Sequence, residues 1–81
     1  MTEGHHNMVV GIRQSKRIIE NGMAEMAYLA EDADSFVAVP FIELCKAHNL
    51  KLEYISTKSA LGRMCRIDVP AAVAVKLKTH N

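Results

Sequence analysis

What most constrains the fold of this 81-residue chain is the spacing of its apolar residues, which keeps switching between steps of two and steps of three to four. Met8, Val9 and Val10 form an apolar run ending at Gly11, long enough for a brief strand and too short for a helix. Ile12, Ser15, Ile19 and Gly22 then fall on one helical face and Arg13, Lys16, Arg17 and Glu20 on another. This predicts an amphipathic helix stopped by Asn21-Gly22. Residues 26–30 are an apolar run suited to a strand covered on both faces, and the polar cluster 31–35 follows as a loop. Val37, Phe41, Leu44, Cys45 and His48 recur at helical steps, with Pro40 read near the helix start, where its missing N–H costs little, and Asn49 at the end. Leu50, Leu52 and Tyr54 alternate with Lys51 and Glu53, as in a strand with one face more exposed than the other. Ser56 or Thr57 is placed to cap a third helix from 58 to about 64, with Leu61 and Met64 or Cys65 facing inward. After the turn-rich stretch 66–70, Val73, Val75 and Leu77 alternate with small residues in a last strand.

Strands and helices therefore take turns along the chain, which predicts the α/β class: a three-layer α/β/α sandwich around a mixed, mostly parallel four-stranded sheet. The expected organisation is a flexible tail over 1–7, one domain over 8–78 and a short tail over 79–81. A chain this short buries only about 60–65% of its unfolded surface, which leaves little volume for an enclosed substrate pocket. Its 49% hydrophobic and 23% charged residues are an ordinary globular mixture. Cys45 and Cys65 lie outside any CxxC pair and point to a reducing cytoplasm. With neither a signal-peptide order nor an apolar run near ~20 residues, no membrane partner is expected. His5 and His6 are read as part of a solvated terminus.

The formal net charge is +1, so the distribution of charge matters more than its sum. Arg13, Lys16 and Arg17 stand against Glu20 in one basic segment; Glu25, Glu31, Asp32 and Asp34 follow; Lys58, Arg63 and Arg66 stand against Asp68 in a second basic segment. In an α/β sheet the loops at one end of the strands gather into one surface, which makes 11–17 and 62–70 the candidate functional segments.

No Ser/His/Asp set, catalytic carboxylate pair or phosphate loop is recognisable, so no enzyme and no cofactor are expected. Cys45 and His48 have a spacing legitimate for two metal ligands, but a zinc site needs a second pair, and a buried thiol beside a helix-terminal imidazole accounts for both. In Gly11-Ile12-Arg13-Gln14-Ser15-Lys16-Arg17 a glycine precedes a helix whose first turn presents N–H donors, a long amide and three cations. Phosphates are drawn to such a helix start, and Gln reads base edges while Arg and Lys hold backbone. On their own, these residues read first as a solvated basic helix face.

Three segments together resemble the small kink-turn RNA-binding proteins of the ribosomal protein L7Ae/L30e superfamily, especially its short bacterial members. They are residues 11–17; Leu29-Ala30-Glu31-Asp32-Ala33-Asp34 after the second strand; and Leu61-Gly62-Arg63-Met64-Cys65-Arg66-Ile67-Asp68-Val69-Pro70 running on into the last strand. The resemblance covers roughly 8–77. It implies that Gly11 lets the backbone approach RNA, that Arg13 and Gln14 face the sheared G·A pairs of a kinked helix, and that Arg17 holds phosphate, with Lys16 also among the RNA-binding residues. It also implies that Ile67, Asp68 and Val69 pack on bulged nucleotides in a loop shaped by Leu61 and Gly62. Such shape reading suits RNA, whose regular A-form groove hides its base edges. The implied partner is structured RNA with a kink-turn, ribosomal or ribosome-associated, and not DNA.

The chain departs from the family at several points. Arg66 and Pro70 stand where relatives commonly have glycine, so a need for positive φ at either would force a different loop. Gln14 replaces a Glu common in other branches, and Ile12 stands where a small hydroxyl is usual. The short N-terminus leaves a sheet face for solvent or a partner to cover. That motivates the alternative reading, a protein-interaction or oligomerisation module on the same fold that has lost RNA binding; a monomer or weak homodimer is expected.

Overall fold

The computed structural model describes residues 7–78, so His5 and His6 and the two tail ends lie outside the described residues. The elements follow in the order β1 (Met8–Val10), α1 (Ile12–Glu20), β2 (Ala24–Ala30), α2 (Ser35–Ala47), β3 (Leu52–Ile55), α3 (Lys58–Met64) and β4 (Val73–Leu77). They build a four-stranded sheet in the spatial order β1-β4-β2-β3. The β2–β3 pair is parallel, with Tyr28 opposite Glu53, while β4 runs antiparallel to both β1 and β2, with Val9 opposite Val75 and Ala27 opposite Val75. Three strands thus point the same way, as a mostly parallel sheet implies, yet two of the three pairings are antiparallel. The reason is spatial: the crossover through α1 leaves a one-strand gap between β1 and β2, and the chain fills it from the opposite direction.

Two apolar clusters sit on the two faces, giving the three layers. On one face Ala27, Leu29, Val73 and Val75 pack against Ile19 of α1 and Phe41 and Cys45 of α2. On the other, Tyr28, Ala30 and Ala74 pack against Leu61 of α3 and Cys65 just beyond it. Each large side chain buried here, such as Leu29 or Phe41, contributes about 1.5–3 kcal/mol. An irregularity between Ala24 and Met26 lets Ala24 share a face with Ala27 and Leu29, against strict alternation. Met8, Val10 and Met26 are half-buried against the second cluster.

All three helices end in the same way, with a left-handed residue after the last turn and a paired backbone closure. At α1, Gly22 (φ 73°) takes this place, its amide donating to Ile19 and that of Met23 to Ile18. At α2, Asn49 (φ 54°) does so, its amide donating to Lys46 and that of Leu50 to Cys45. At α3 the residue is Arg66 (φ 63°), its amide donating to Arg63 and that of Ile67 to Gly62. The arginine itself adopts positive φ at this position.

Ile12 and Pro40 sit elsewhere than their spacing predicts. Ile12, read with the inward face of α1, is 44% exposed, while Ser15 and Ile19 are buried. As the first helical residue, its side chain leans toward the N-terminus and past the sheet. Pro40, read near a helix start, is the sixth residue of α2, because the helix already begins at Ser35 behind Asp34. There a proline removes the bond to the Phe36 carbonyl that an ordinary residue would make. Burial pushes the Cys45 and Cys65 thiols up from their ordinary value, so both stay protonated near neutral pH.

Candidate nucleic-acid interface

The C-terminal ends of β1, β2 and β3 and the start of β4 meet at one end of the sheet. There Gly11 N–H donates to the Val73 carbonyl (3.2 Å), Ala30 N–H to Ala72 (2.9 Å) and Glu31 N–H to Ile55 (2.8 Å). Because each of these strands is followed by a helix, all three helices begin at this end.

Gly11 holds φ 104° and ψ 148°, a region that side-chain-bearing residues avoid, and the direction a Cβ would take is open space. Its carbonyl accepts the Ser15 amide (2.9 Å), the first bond of α1. Since Ser15 and Ile19 face the sheet, Arg13, Gln14, Lys16 and Arg17 are all exposed. At 3.6 residues per turn, Arg13 and Arg17 lie one above the other on the outward face. Gln14 and Lys16 fall on opposite flanks. Lys16 lines a groove of about 420 Å³ between α1 and α2 with Ile12, Pro40, Phe41, Glu43 and Leu44, and so is separated from Gln14.

The second segment is shaped from behind by α3. Thr57 caps the helix, its Oγ1 accepting the Ala60 amide (3.0 Å), and Asp32 Oδ1 accepts the Lys58 amide (2.8 Å), tying the turn after β2 to the start of α3. A Cβ on Gly62 would overlap the Val69 carbonyl oxygen, so residues 66–70 lie directly against the bare backbone of the helix. The Ala71 amide closes the return by donating to Lys58 (3.0 Å). Leu61 and Gly62 are thereby fully buried. They thus lie behind the loop, the place from which the resemblance has them shape it. Ile67 is half-buried, while Asp68 and Val69 are exposed, Val69 by 61%. With Ser59, Arg63 and Pro70 these three line a shallow depression of about 270 Å³.

The two segments share one end of the molecule. The carbonyl that holds Gly11 belongs to Val73, and three Cα–Cα steps, at most about 11 Å, connect Val73 to Pro70. Glu31 and Asp34, both exposed, follow β2 at the same end, so this end is a mosaic of charge and not a uniform basic patch. Asp32 as the anchor of α3, and Arg63 and Arg66 beside the loop, carry no periodic signal; the charge balance of 58–68 was the one hint of the arginines. Among the described residues no group of three His, Cys, Asp or Glu side chains is placed to hold a metal, and no helix is long and apolar enough to cross a membrane.

A model of the ribosomal protein L7Ae/L30e/S12e/Gadd45 family matches residues 2–81. The chain is 41% identical over 66 residues to an RNA-binding protein of Caldanaerobacter subterraneus subsp. tengcongensis, covering 82% of this chain and 80% of that protein. To the small ribosomal subunit protein eS12 of Hordeum vulgare it is 32% identical over 71 residues, covering 83% of this chain and 50% of that protein. Among solved structures, a 15.5kD RNA binding protein of Giardia lamblia superposes with a TM-score of 0.84 at 28% identity, covering 91% of this chain. The present chain spans 62% of that protein's length.

Proposed function

Because the chain belongs to the ribosomal protein L7Ae/L30e/S12e/Gadd45 family, we propose that it is a non-enzymatic RNA-binding protein that recognises kink-turn-like internal loops in ribosomal or other structured RNA of the cytoplasm. The observation that carries this reading is the backbone at Gly11: a positive-φ glycine with open space above it, at the start of a cationic helix and bonded to the strand that leads out of the second loop. A backbone free of side chain is what an RNA strand approaches closely, and the adjoining helix start offers N–H donors.

In this reading Arg13 and Gln14 face the non-Watson–Crick pairs in the opened groove, Arg17 holds phosphate one turn later, and Lys16 reaches a phosphate on the α2 flank. Ile67, Asp68 and Val69 meet the bulged nucleotides, with Val69 giving them an apolar platform. Regular duplex offers neither bulges nor a widened groove, so discrimination is by shape. A titration against a kink-turn RNA and a straight duplex of equal length tests the reading; preference for the kink-turn is expected, and equal affinity for both would overturn it. Arg17→Ala should weaken binding and flatten the log–log salt dependence by about 0.7–0.9, the value of one phosphate contact.

One observation favours a protein-interaction role: Phe36, 78% exposed, and Val39 form an apolar stretch on the outer side of α2. Light scattering of the RNA-free protein separates the readings. A concentration-independent monomer that prefers the kink-turn leaves the interaction role without support.

A further inference from the structure

The non-glycine residues held at positive φ among those described are Asn49 and Arg66. Asparagine tolerates this region through its short polar side chain, whereas a long β-methylene side chain gains nothing there. Arg66 cannot relax into ordinary helical geometry without losing two hydrogen bonds, its own amide to Arg63 (3.0 Å) and that of Ile67 to Gly62 (3.1 Å). Nor can the loop shift, because Gly62 is packed against the Val69 carbonyl. An unfavourable backbone is therefore maintained at an exposed cation directly before Ile67, Asp68 and Val69. Strain of this kind is kept where the side chain has a use.

Charge supplies the second argument. Asp68 is exposed in the middle of the loop, and a polyanion approaching it meets repulsion. Within residues 62–70, with glycine at 66, Arg63 would only balance Asp68. With arginine there, the segment presents a net positive charge. We propose that Arg66 is an additional phosphate-contacting residue of this chain, an anchor on the loop side that offsets Asp68 and complements the arginines of α1. This rests on the RNA-binding reading above and reverses the simplest expectation for its departure from glycine, that it would weaken binding.

The test compares the wild-type protein with Arg66→Gly, Arg66→Lys and Arg66→Asn, measuring the thermal midpoint and the affinity for a kink-turn RNA across a salt series. Arg66→Gly should melt at or above the wild-type temperature, since glycine relieves the backbone, and yet bind about five- to eightfold more weakly at 0.1 M salt, with a slope shallower by about 0.7–0.9. Arg66→Asn should weaken binding alike, and Arg66→Lys should keep the wild-type slope. If the wild type prefers the kink-turn while Arg66→Gly and Arg66→Asn bind with wild-type affinity and slope, the role of Arg66 is overturned and the RNA-binding reading stands. If the wild type binds no RNA, or binds both RNAs with the same affinity, kink-turn recognition fails first and the role of Arg66 with it.

Discussion

Gly62 and Arg66 show how much a single position can hide. Sequence periodicity marks Leu61 and Cys65 as inward residues of a short helix, and both are buried. Glycine has no hydropathy to place it, so periodicity does not show the contact between Gly62 and the Val69 carbonyl, and only the resemblance gave Gly62 a part in shaping the loop. Gly62→Ala is expected to destabilise the protein by about 1–3 kcal/mol in urea denaturation, because backbone and not a flexible side-chain end stands in the way. An unchanged midpoint would show that the loop yields. Asn21-Gly22 and Asn49 were legible as helix stops because their residue types favour the left-handed region; Arg66 ends α3 by the same hydrogen bonds without any such signature. Its conformation is imposed by packing.

At the scale of elements, α2 departs furthest from its pattern. The recurrence of Val37, Phe41, Leu44 and Cys45 marks the helix, but the apolar residues continue around it, with Phe36 and Val39 exposed. Without a polar face to oppose them, the sequence fixes neither which side turns inward nor where the helix begins, and so Pro40 looked like an opening residue. In its actual place it leaves the Phe36 carbonyl without a helical partner. Pro40→Ala is expected to raise stability by about 1–3 kcal/mol, the lower end reflecting a carbonyl that water reaches and the entropy proline removes from the unfolded chain. A thermal melt checks it; a loss of stability would mean that the proline ring packs in a way its exposure belies. Strand direction was illegible for another reason. Alternation identifies β4 as a strand, but whether it pairs parallel or antiparallel is decided by the end of the sheet to which residues 66–72 bring it.

For the molecule as a whole, that return path is what joins two basic segments lying some fifty residues apart in the chain. Both were visible as local excesses of Lys and Arg, and the resemblance of their motifs to RNA-binding proteins was visible too. Their meeting at one end depends on β4 entering the sheet beside β1, with Met8 opposite Lys76 and Val10 opposite Ala74.

A ribosome reads out this architecture in an awkward order. β1 emerges early and has no neighbour except β4, the last strand among the described residues, so the middle of the sheet is completed only after every helix has been made. Nascent chains arrested before Val73 should therefore lack slow-exchanging amides in β1, whereas chains carrying β4 clear of the exit tunnel should acquire them in β1 and β2 together. Protection of β1 in the shorter chains would contradict this. Competence to grip a ligand would then arrive in a single late step, with no half-formed grasping end to snare an RNA during translation.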